Sequence, residues 1–518
     1  MKTGPTNKES GDDSGSRSGT TMGRGRRTLR GAVGASLGSA VGHTVRTPGP
    51  WLFRRFCRLV LRVFYRRSEV LGLEHLPRRG PVMICGNHPN ALVDAVILQA
   101  LLPRFLHPLA RSGLFRNPLL RPVLAAIGAV PVKRRQDLPN PEGKSGKPDG
   151  EAASGTSPED RASADNDDAF ARCYDLLGRG GTLLIFPEGE SHSDASMRSF
   201  RTGAARIALG ALARDGTRAT VLPVGLSFSE VGRFRGSVFV NIAPPIPLPT
   251  LETSNADQAP GSGSPGEGAV RELTLAIQAG LETVTLNPAS WRDLDLMRRI
   301  DRFFTLRRGH KRRRHLSERF RVLKKLIEAH NKLQAIEPER VERVRSRLRR
   351  FERLCVRAGV RDYQLSIAYT PALVTRYIAR TLGLLLFLLP LGAWGWLNGI
   401  VPYRLTGVLA SRLARGRYQV ETAEISLGLL WFGLFWGVQT TLVQHWAGGW
   451  WAAAYLLSLP IAGGAALVVG RERERIVDNV RGFLVFFNKK DLRDLLQQRR
   501  RELERDLARL AQAAKRAG

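Results

Sequence analysis

The sequence CGNHPNALVD at residues 85–94 joins two apolar runs. The run before it, Pro81-Val82-Met83-Ile84, is typical of a buried strand, and the run after it, Ala95-Val96-Ile97-Leu98, is typical of a helix. The pattern therefore predicts a strand, a short polar turn and a helix. Such a turn presents a reactive side chain at the end of a strand.

The turn carries one histidine, His88, six residues before Asp94. At this distance the carboxylate can fold back onto the imidazole, and a histidine oriented by a carboxylate is a general base. The alternative is structural: Asn87 or Asn90 caps the helix and the histidine faces solvent. The stretch by itself does not decide between them, because short motifs often match by chance.

Runs that read as strands alternate with helical patterns from residue 68 to residue 250. This alternation predicts an α/β domain. Residues 137–166 interrupt it with Pro, Gly, Ser and acidic residues, and we expect a disordered insertion there. Residues 251–268 have a similar composition and are interpreted as a linker.

The chain is strongly basic, with 80 Lys and Arg against 46 Asp and Glu and a net charge of +34. Such an excess indicates an anionic partner: lipid head groups, nucleic acid or phosphorylated substrates. Its four cysteines are far apart, so neither a disulfide framework nor a zinc site is expected, and no metal site is visible.

The regions outside the α/β domain are also basic. Residues 1–50 are expected to form a disordered basic tail, because they contain too few apolar residues to build a core. Residues 51–67 alternate aromatic and apolar residues with arginines, which predicts an amphipathic membrane-surface helix or, alternatively, an ordinary packed helix. Residues 269–375 are interpreted as a basic helical region that lies on anionic lipid, with nucleic-acid binding or a merely solvated face as alternatives.

Three long apolar stretches follow within residues 376–470, namely Leu382–Val401, Ile425–Val443 and Trp450–Val469. Each approaches the roughly 20 residues that cross a bilayer. Arginines flank both ends of the first stretch, and none lies between the second and the third. The positive-inside rule then predicts a hairpin for the last two, with its loop outside, and a first stretch that is re-entrant or bent at Pro390.

The remaining residues, 471–518, are interpreted as a charged, solvated helical tail.

Four short blocks occur in order within the α/β region. They are NHPNALVD at residues 87–94, GAVPVKRR at 128–135, FPEGESHS at 186–193 and VLPVGL at 221–226. Their order, spacing and wording resemble the four motifs of the phospholipid/glycerol acyltransferases, the PlsC-like family. The resemblance covers roughly residues 68–250 and implies a mixed sheet flanked by helices.

Two details differ from the common family pattern. Five residues, not four, separate His88 from Asp94, and the third block continues as Glu190-Ser191 instead of Thr-Arg. Both details resemble the branch that includes fungal-type glycerol-3-phosphate and dihydroxyacetone-phosphate acyltransferases. The acceptor therefore stays open among glycerol 3-phosphate, dihydroxyacetone phosphate and lysophosphatidate.

The resemblance assigns catalytic roles to the first block. His88 would take the proton from the acceptor hydroxyl, and Asp94 would hold its tautomer and stabilise the imidazolium. No serine or cysteine nucleophile and no cofactor is implied, since acyl-CoA or acyl carrier protein is a substrate.

The other blocks are implied to bind substrate. Arg134 and Arg135 would bind the acceptor phosphate, or else be surface charge. Glu188 and Gly189 would form the acceptor-binding turn, and Pro223 would lie on the acyl side or simply pack a strand. His192 has no assigned role.

The sequence thus predicts a membrane-bound enzyme that transfers a fatty acyl group to a glycerol-phosphate acceptor in phospholipid biosynthesis. Its catalytic domain is expected on the cytoplasmic face, bound to anionic membrane lipids, with no nucleic-acid partner. Two alternatives are an inactive, basic lipid-binding protein and a His-dependent thioesterase. No Gly-x-Ser-x-Gly sequence occurs within residues 68–250, which argues against a serine hydrolase.

Overall fold

The computed structural model describes most of the chain from residue 48 onward. The described ranges are residues 48–116, 120–132, 158–192, 194–230, 234–249, 266–307, 315–366, 371–414, 417–488 and 490–516. The predicted tail 1–50 lies almost wholly outside these ranges, as do most of the predicted insertion and linker.

A seven-stranded sheet forms the centre of the α/β domain. Its strands are β1 (Tyr65–Leu71), β2 (Val82–Gly86), β3 (His107–Arg111), β4 (Val130–Val132), β5 (Thr182–Ile185), β6 (Thr220–Phe228) and β7 (Gly236–Ile242). Their order is β1-β7-β6-β2-β5-β3-β4, and only the β6–β7 pair is antiparallel. The predicted mixed sheet is therefore confirmed. Every residue of β2 and β5 is buried, as expected for central parallel strands that are covered on both faces.

Helices cover both faces of the sheet. They are α1 (Pro48–Phe64), α2 (Leu92–Leu101), α3 (Leu120–Ala126), α4 (Pro158–Gly178), α5 (Gly203–Asp215) and α6 (Glu267–Val284). One apolar core joins α1 and α2 to one face, and a second joins α4, α5 and α6 to the other. The predicted α/β class is confirmed.

The α/β core extends beyond the predicted boundary at residue 250. Helix α6 buries Leu273, Ile277 and Leu281 in the core that contains α4 and α5. The boundary was placed too early because a low-complexity segment separates α6 from β7 in sequence, whereas the apolar face of α6 covers the sheet.

Two other predicted boundaries were wrong. Helix α1 ends at Phe64 and not at residue 67, because the chain pairs with β7 as the edge strand β1 from Tyr65 onward. Helix α4 begins at Pro158, inside the predicted insertion. Proline suits the first turn of a helix, and acidic residues there favour the helix dipole, so the charged residues after Pro158 suit a helix start.

Helix α1 packs on the domain with one side and leaves apolar residues on the other. Cys57, Val60 and Leu61 are buried. The exposed apolar side chains are Trp51, Leu52, Phe56, Leu59 and Val63. The helix is therefore packed on one side and exposes apolar side chains on the other, and its contact with a membrane stays a prediction.

A third core joins four further helices. They are α7 (Trp291–Arg307), α8 (Leu316–Ile336), α9 (Pro338–Arg357) and, after three long apolar helices, α13 (Lys490–Arg516). Leu496, Leu503 and Leu507 of α13 are buried in this core. The sequence predicts a solvated amphipathic helix for this tail. The amphipathic pattern is present, but the apolar face of α13 packs in this core instead of facing solvent.

The three predicted apolar stretches lie in α10 (Pro371–Leu413), α11 (Arg417–Ala447) and α12 (Gly449–Asn488). Within the described chain, Gln419–Ala447 and Gly449–Phe486 are long and apolar enough to cross a membrane. A third span is present if the bent pair Thr375–Leu384 and Leu386–Leu413 counts as one.

The bend in α10 measures 46° and lies one turn before Pro390. A proline ring clashes with the carbonyl four residues earlier, which here belongs to Leu386. The predicted bend is therefore present, displaced to the position where proline disturbs the hydrogen-bond ladder. The orientation of the three helices stays a prediction.

Candidate active site

A cleft opens at the carboxyl edge of the sheet, where the parallel strands β2, β5 and β6 end. Its walls come from these strand ends, from the turn after β5 and from α7. The lining includes Asn87, His88, Pro89, Glu188, His192, Met197, Leu226, Phe228, Leu286, Trp291, Leu294 and Arg298. The predicted first and third blocks therefore meet across this cleft.

The residues after β2 are fixed by their neighbours. The Asn87 side chain donates to the carbonyl of Leu226 (3.1 Å) and accepts from its N–H (2.7 Å), which continues the pairing of β2 with β6. The ring of His88 stacks on Phe186, the residue after β5, at 3.9 Å and 10°. His88 is thus held by the ends of two neighbouring strands.

His88 and Asp94 form a close pair. The His88 Nδ1 lies 3.0 Å from Oδ2 of Asp94, whose side chain is fully buried. The same oxygen accepts the N–H of Asn90 at 2.8 Å. Burial raises the pKa of Asp94, and the hydrogen bonds from His88 and Asn90 offset this in part. The pairing leaves Nε2 of His88, whose side chain lines the cleft, for a substrate.

The structural alternative for this stretch was wrong. Helix α2 follows Ala91 and has no side-chain cap, so neither Asn87 nor Asn90 caps it. Ala91 has a φ of +46°, which is strained for a residue other than glycine. The five residues between His88 and Asp94 accommodate this strained turn, which brings the carboxylate back to the imidazole.

Glu188 is buried and accepts three hydrogen bonds. Its Oε1 accepts the N–H of His88 (3.2 Å), and its Oε2 accepts the N–H of Arg198 (3.0 Å) and a bond from His192. Burial alone raises the pKa of Glu188, but the hydrogen bonds from His192, Arg198 and His88 outweigh it, and the pKa is lowered. Glu188 therefore joins the third block to the backbone of His88.

His192, which the sequence analysis left without a role, completes the contacts of Glu188. Its Nδ1 accepts the N–H of Asp194 at 3.2 Å, so its Nε2 carries the proton that is donated to Glu188. The Asp194 carboxylate is in turn bound by Arg198 Nε at 2.6 Å. The signal in the sequence was the four-residue spacing between Glu188 and His192.

Gly189 and Pro223 have structural explanations. Gly189 has a φ of +77°, and a Cβ there would lie 2.7 Å from the Arg201 side chain. Pro223 is buried in β6 and packs where a Cβ on Gly280 of α6 would lie. The structure thus places Pro223 against α6, which was the packing alternative. Arg134 and Arg135 lie outside the described residues.

Arg298, which was not predicted from the sequence, lines the cleft from α7. One of its guanidinium nitrogens donates to the carbonyl of Phe228 at 2.8 Å. Burial and the neighbouring Arg319 lower the pKa of Arg298 to about 10, which leaves the side chain charged at neutral pH. No sequence signal distinguished it, because arginines are abundant in this chain.

A second cleft lies beside the first and is lined by Asp293, His330 and Arg345. These side chains bind one another: Asp293 lies 3.2 Å from His330 and 2.5 Å from Arg345. The polar groups of this second cleft thus join α7, α8 and α9. The first cleft contains the general-base pair and is therefore the candidate active site.

Comparison with known proteins identifies the family of the domain that contains this cleft. Residues 67–227 match the family model described as Acyltransferase. This range contains all four blocks and all of β6 except its last residue, Phe228. The domain belongs to the phospholipid/glycerol acyltransferase family. The acyltransferase domain thus includes the cleft edge that His88, Asp94 and Glu188 form.

Three relatives extend the comparison. The chain is 26% identical to glycerol-3-phosphate O-acyltransferase 1 of Saccharomyces cerevisiae over 47% of this chain and 40% of the relative. It is 23% identical to an uncharacterized acyltransferase of Schizosaccharomyces pombe over 69% of this chain and 60% of the relative. A chloroplastic 1-acyl-sn-glycerol-3-phosphate acyltransferase of Arabidopsis thaliana is 27% identical over 28% of this chain and 33% of its own length.

Proposed function

We propose that this chain is a membrane-bound acyltransferase of phospholipid biosynthesis. It moves a fatty acyl group from acyl-CoA or acyl carrier protein to glycerol 3-phosphate or 1-acylglycerol 3-phosphate. The observation that carries the proposal is the His88 ring, whose Nδ1 is engaged by buried Asp94 while its other nitrogen is left for a substrate at the cleft.

The proposed reaction is a direct transfer. Nε2 of His88 takes the proton from the acceptor hydroxyl as its oxygen attacks the carbonyl carbon of the thioester. The tetrahedral intermediate then collapses, the carbon–sulfur bond breaks, and the leaving thiolate takes the proton from His88. Asp94 stabilises the imidazolium that exists between the two proton transfers. The residues require no resident cofactor for these steps.

The acceptor phosphate requires cations beside the base. Arg134 and Arg135 stay predictions for this role. Arg298 is a further candidate, because its guanidinium lines the same cleft as His88 and its hydrogen bond goes to a neutral carbonyl. A guanidinium binds phosphate oxygens with geometry that a lysine does not reproduce.

Arg298 has a matched control on the same helix. Arg292 is exposed and lines the neighbouring cleft. Arg298→Gln should raise the KM for the phosphorylated acceptor about tenfold or more, whereas Arg292→Gln should leave it unchanged. An unchanged KM in the first variant would exclude Arg298 from phosphate binding.

We further propose that the catalytic domain lies on the cytoplasmic face of the membrane, in contact with anionic lipids. The arginines that flank the apolar stretches support this orientation. The exposed apolar residues of α1 support contact of the domain with the bilayer surface. Cysteine labelling at residue 408 and near the C-terminus should report the same side.

One assay tests the function. Membranes that contain the full chain are supplied with labelled acyl-CoA or labelled acyl carrier protein and with each acceptor in turn, and His88→Ala is the control. Label in phosphorylated glycerolipid identifies the acceptor. Release of free fatty acid without acceptor dependence would instead indicate a thioesterase, and absence of turnover with all acceptors and both donors would indicate a lipid-binding protein.

A further inference from the structure

Three buried polar side chains meet beside the general-base pair, and one of them comes from a candidate membrane helix. Glu421 lies in the first turns of α11 and is only 3% exposed. Its Oε2 accepts hydrogen bonds from the Asn90 side chain and from the Tyr65 hydroxyl. The Asn90 side chain also lies 3.4 Å from that hydroxyl.

The cluster is directly connected to the catalytic pair. Asn90 lies two residues after His88, and its backbone N–H donates to the same Asp94 oxygen that binds the imidazole. Glu421 therefore holds the side chain of Asn90, and the backbone N–H of Asn90 holds the Asp94 carboxylate. Only Asn90 separates the membrane helix from Asp94.

Burial of the Glu421 carboxylate costs free energy unless hydrogen-bond donors bind it. It lies inside the apolar span Gln419–Ala447, where a carboxylate is unfavourable and usually has a functional partner. Its partners are in the acyltransferase domain, more than 300 residues earlier in the chain. Ile425, one turn further along α11, packs on the apolar core that contains α2.

The Tyr65 hydroxyl is suited to remain a donor in this cluster. Burial raises the pKa of Tyr65 far above its ordinary value, and the neighbouring Glu421 raises it further. The hydroxyl thus keeps its proton at any physiological pH. The three side chains then form a fixed arrangement in which Glu421 accepts from two donors.

We propose that Glu421 is a positioning residue of the acyltransferase site, which fixes Asn90 and through it the Asp94 carboxylate that orients His88. The apolar helix α11 is then part of the active-site architecture as well as a membrane anchor. The inference rests on the proposed transfer reaction for its kinetic test, but the contact itself can be tested without turnover.

The kinetic test compares Glu421→Ala, Glu421→Gln and a matched control in the full chain in membranes. The control is Glu424→Gln: Glu424 is the same residue type one turn away on α11, and its Oε2 has no partner among the described residues. We expect Glu421→Ala to lower kcat about 10- to 100-fold with little change in KM, because misplacement of a catalytic group slows the chemical step. Glu421→Gln keeps one acceptor oxygen and should restore part of kcat, and the control should match the wild type.

A double-mutant cycle adds a second kinetic readout. If Glu421 acts through Asn90, the effects of Glu421→Ala and Asn90→Ala on kcat should not add. Fully additive effects, or a Glu421→Ala variant with wild-type kcat, would overturn the inference. If Glu421→Ala does not fold, Tyr65→Phe and Glu421→Gln provide the same comparison with smaller changes.

Hydrogen exchange separates this inference from the proposed function. Amide exchange over residues 88–94 should be faster in Glu421→Ala than in Glu424→Gln, since Asn90 loses its anchor. A wild type without transferase activity would overturn the proposed function and leave this readout intact. Equal exchange in the two variants would overturn the positioning role, whatever the activity.

Discussion

Two histidine–carboxylate pairs lie at the same cleft and differ in one respect. In the pair His88–Asp94 the carboxylate engages one ring nitrogen, and the other nitrogen is left for a substrate. In the pair His192–Glu188 both ring nitrogens are engaged, one by Glu188 and the other by the N–H of Asp194. A histidine can take a proton from a substrate only through a nitrogen that has no partner in the protein.

The difference assigns the second pair a supporting role. Glu188 also accepts the backbone N–H of His88, so the second pair holds the first in place. Each histidine lies beside a carboxylate, but His88 is suited to proton transfer and His192 to holding the site in place. The experiments below test this division, beginning with the largest expected effect.

Replacement of His88, whose Nε2 is left for a substrate, should have the largest effect on transfer activity. His88→Ala removes the base and should lower kcat/KM by about 10³- to 10⁴-fold, measured as acyl transfer in membranes. The assignment of roles would be wrong if His88→Ala retained most of its activity and His192→Ala instead showed the large loss.

Asp94→Asn should follow, with kcat lowered about 10²- to 10³-fold. An amide can donate to Nδ1 of His88, which favours the tautomer that carries its proton on Nε2 and cannot act as a base. The protein should stay folded, as circular dichroism would show. A variant with near-normal kcat would mean that the carboxylate does not set the tautomer.

Glu188→Gln should have a moderate effect on both activity and stability. The amide presents an NH₂ group to donors that now face a carboxylate oxygen, so at least one buried donor is left unpaired at a cost of about 1–3 kcal/mol. We expect a loss of kcat of about tenfold through displacement of His88, together with a lower thermal midpoint in detergent. A change in acceptor KM alone would point to direct substrate binding by Glu188 instead.

His192→Ala should mainly reduce stability. It leaves the buried carboxylate of Glu188 without one of three donors, and the unfolding free energy should fall by about 1–3 kcal/mol. Transfer per folded molecule should change less than in Glu188→Gln. If kcat fell by more than about a hundredfold in fully folded protein, the supporting role would be wrong.

The smallest expected effect is the pH dependence of the stability that the Glu188 carboxylate contributes. The pKa of Glu188 is lowered in the folded protein, so its ionised form adds stability above the ordinary glutamate pKa of about 4.3, and this is lost as the pH falls through the folded value. The difference in thermal midpoint between the wild type and Glu188→Gln should therefore narrow as the pH is lowered below about 4.3. A difference that stays constant with pH would show that the charge of Glu188 does not contribute.

The sequence was most informative where the relevant contacts are local. His88 and Asp94 are six residues apart, so their spacing predicted the pair. The alternation of strands and helices predicted the class of the domain. It could not predict that β2 lies between β5 and β6, on which the contacts of His88 with Phe186 and Glu188 depend.

Long-range contacts account for most of what sequence reasoning missed. Glu421 meets Asn90 across more than 300 residues, and a carboxylate at the start of an apolar stretch was the only local sign. Arg298 reaches the cleft from α7, a helix that composition alone marked as basic surface. Neither position could be singled out without the packing of these helices on the acyltransferase domain.

The packing of α6 on the sheet has a practical consequence for the design of truncated fragments. Pro223 and Gly225, both in the fourth block, lie directly beneath this helix; a Cβ on Gly225 would come within 2.1 Å of the Val284 carbonyl. A fragment cut at residue 250 would therefore keep all four sequence blocks but would leave part of one face of its sheet uncovered. We therefore expect a stable fragment with the acyltransferase domain to extend at least to Val284, well past residue 227, where the match to the family model ends.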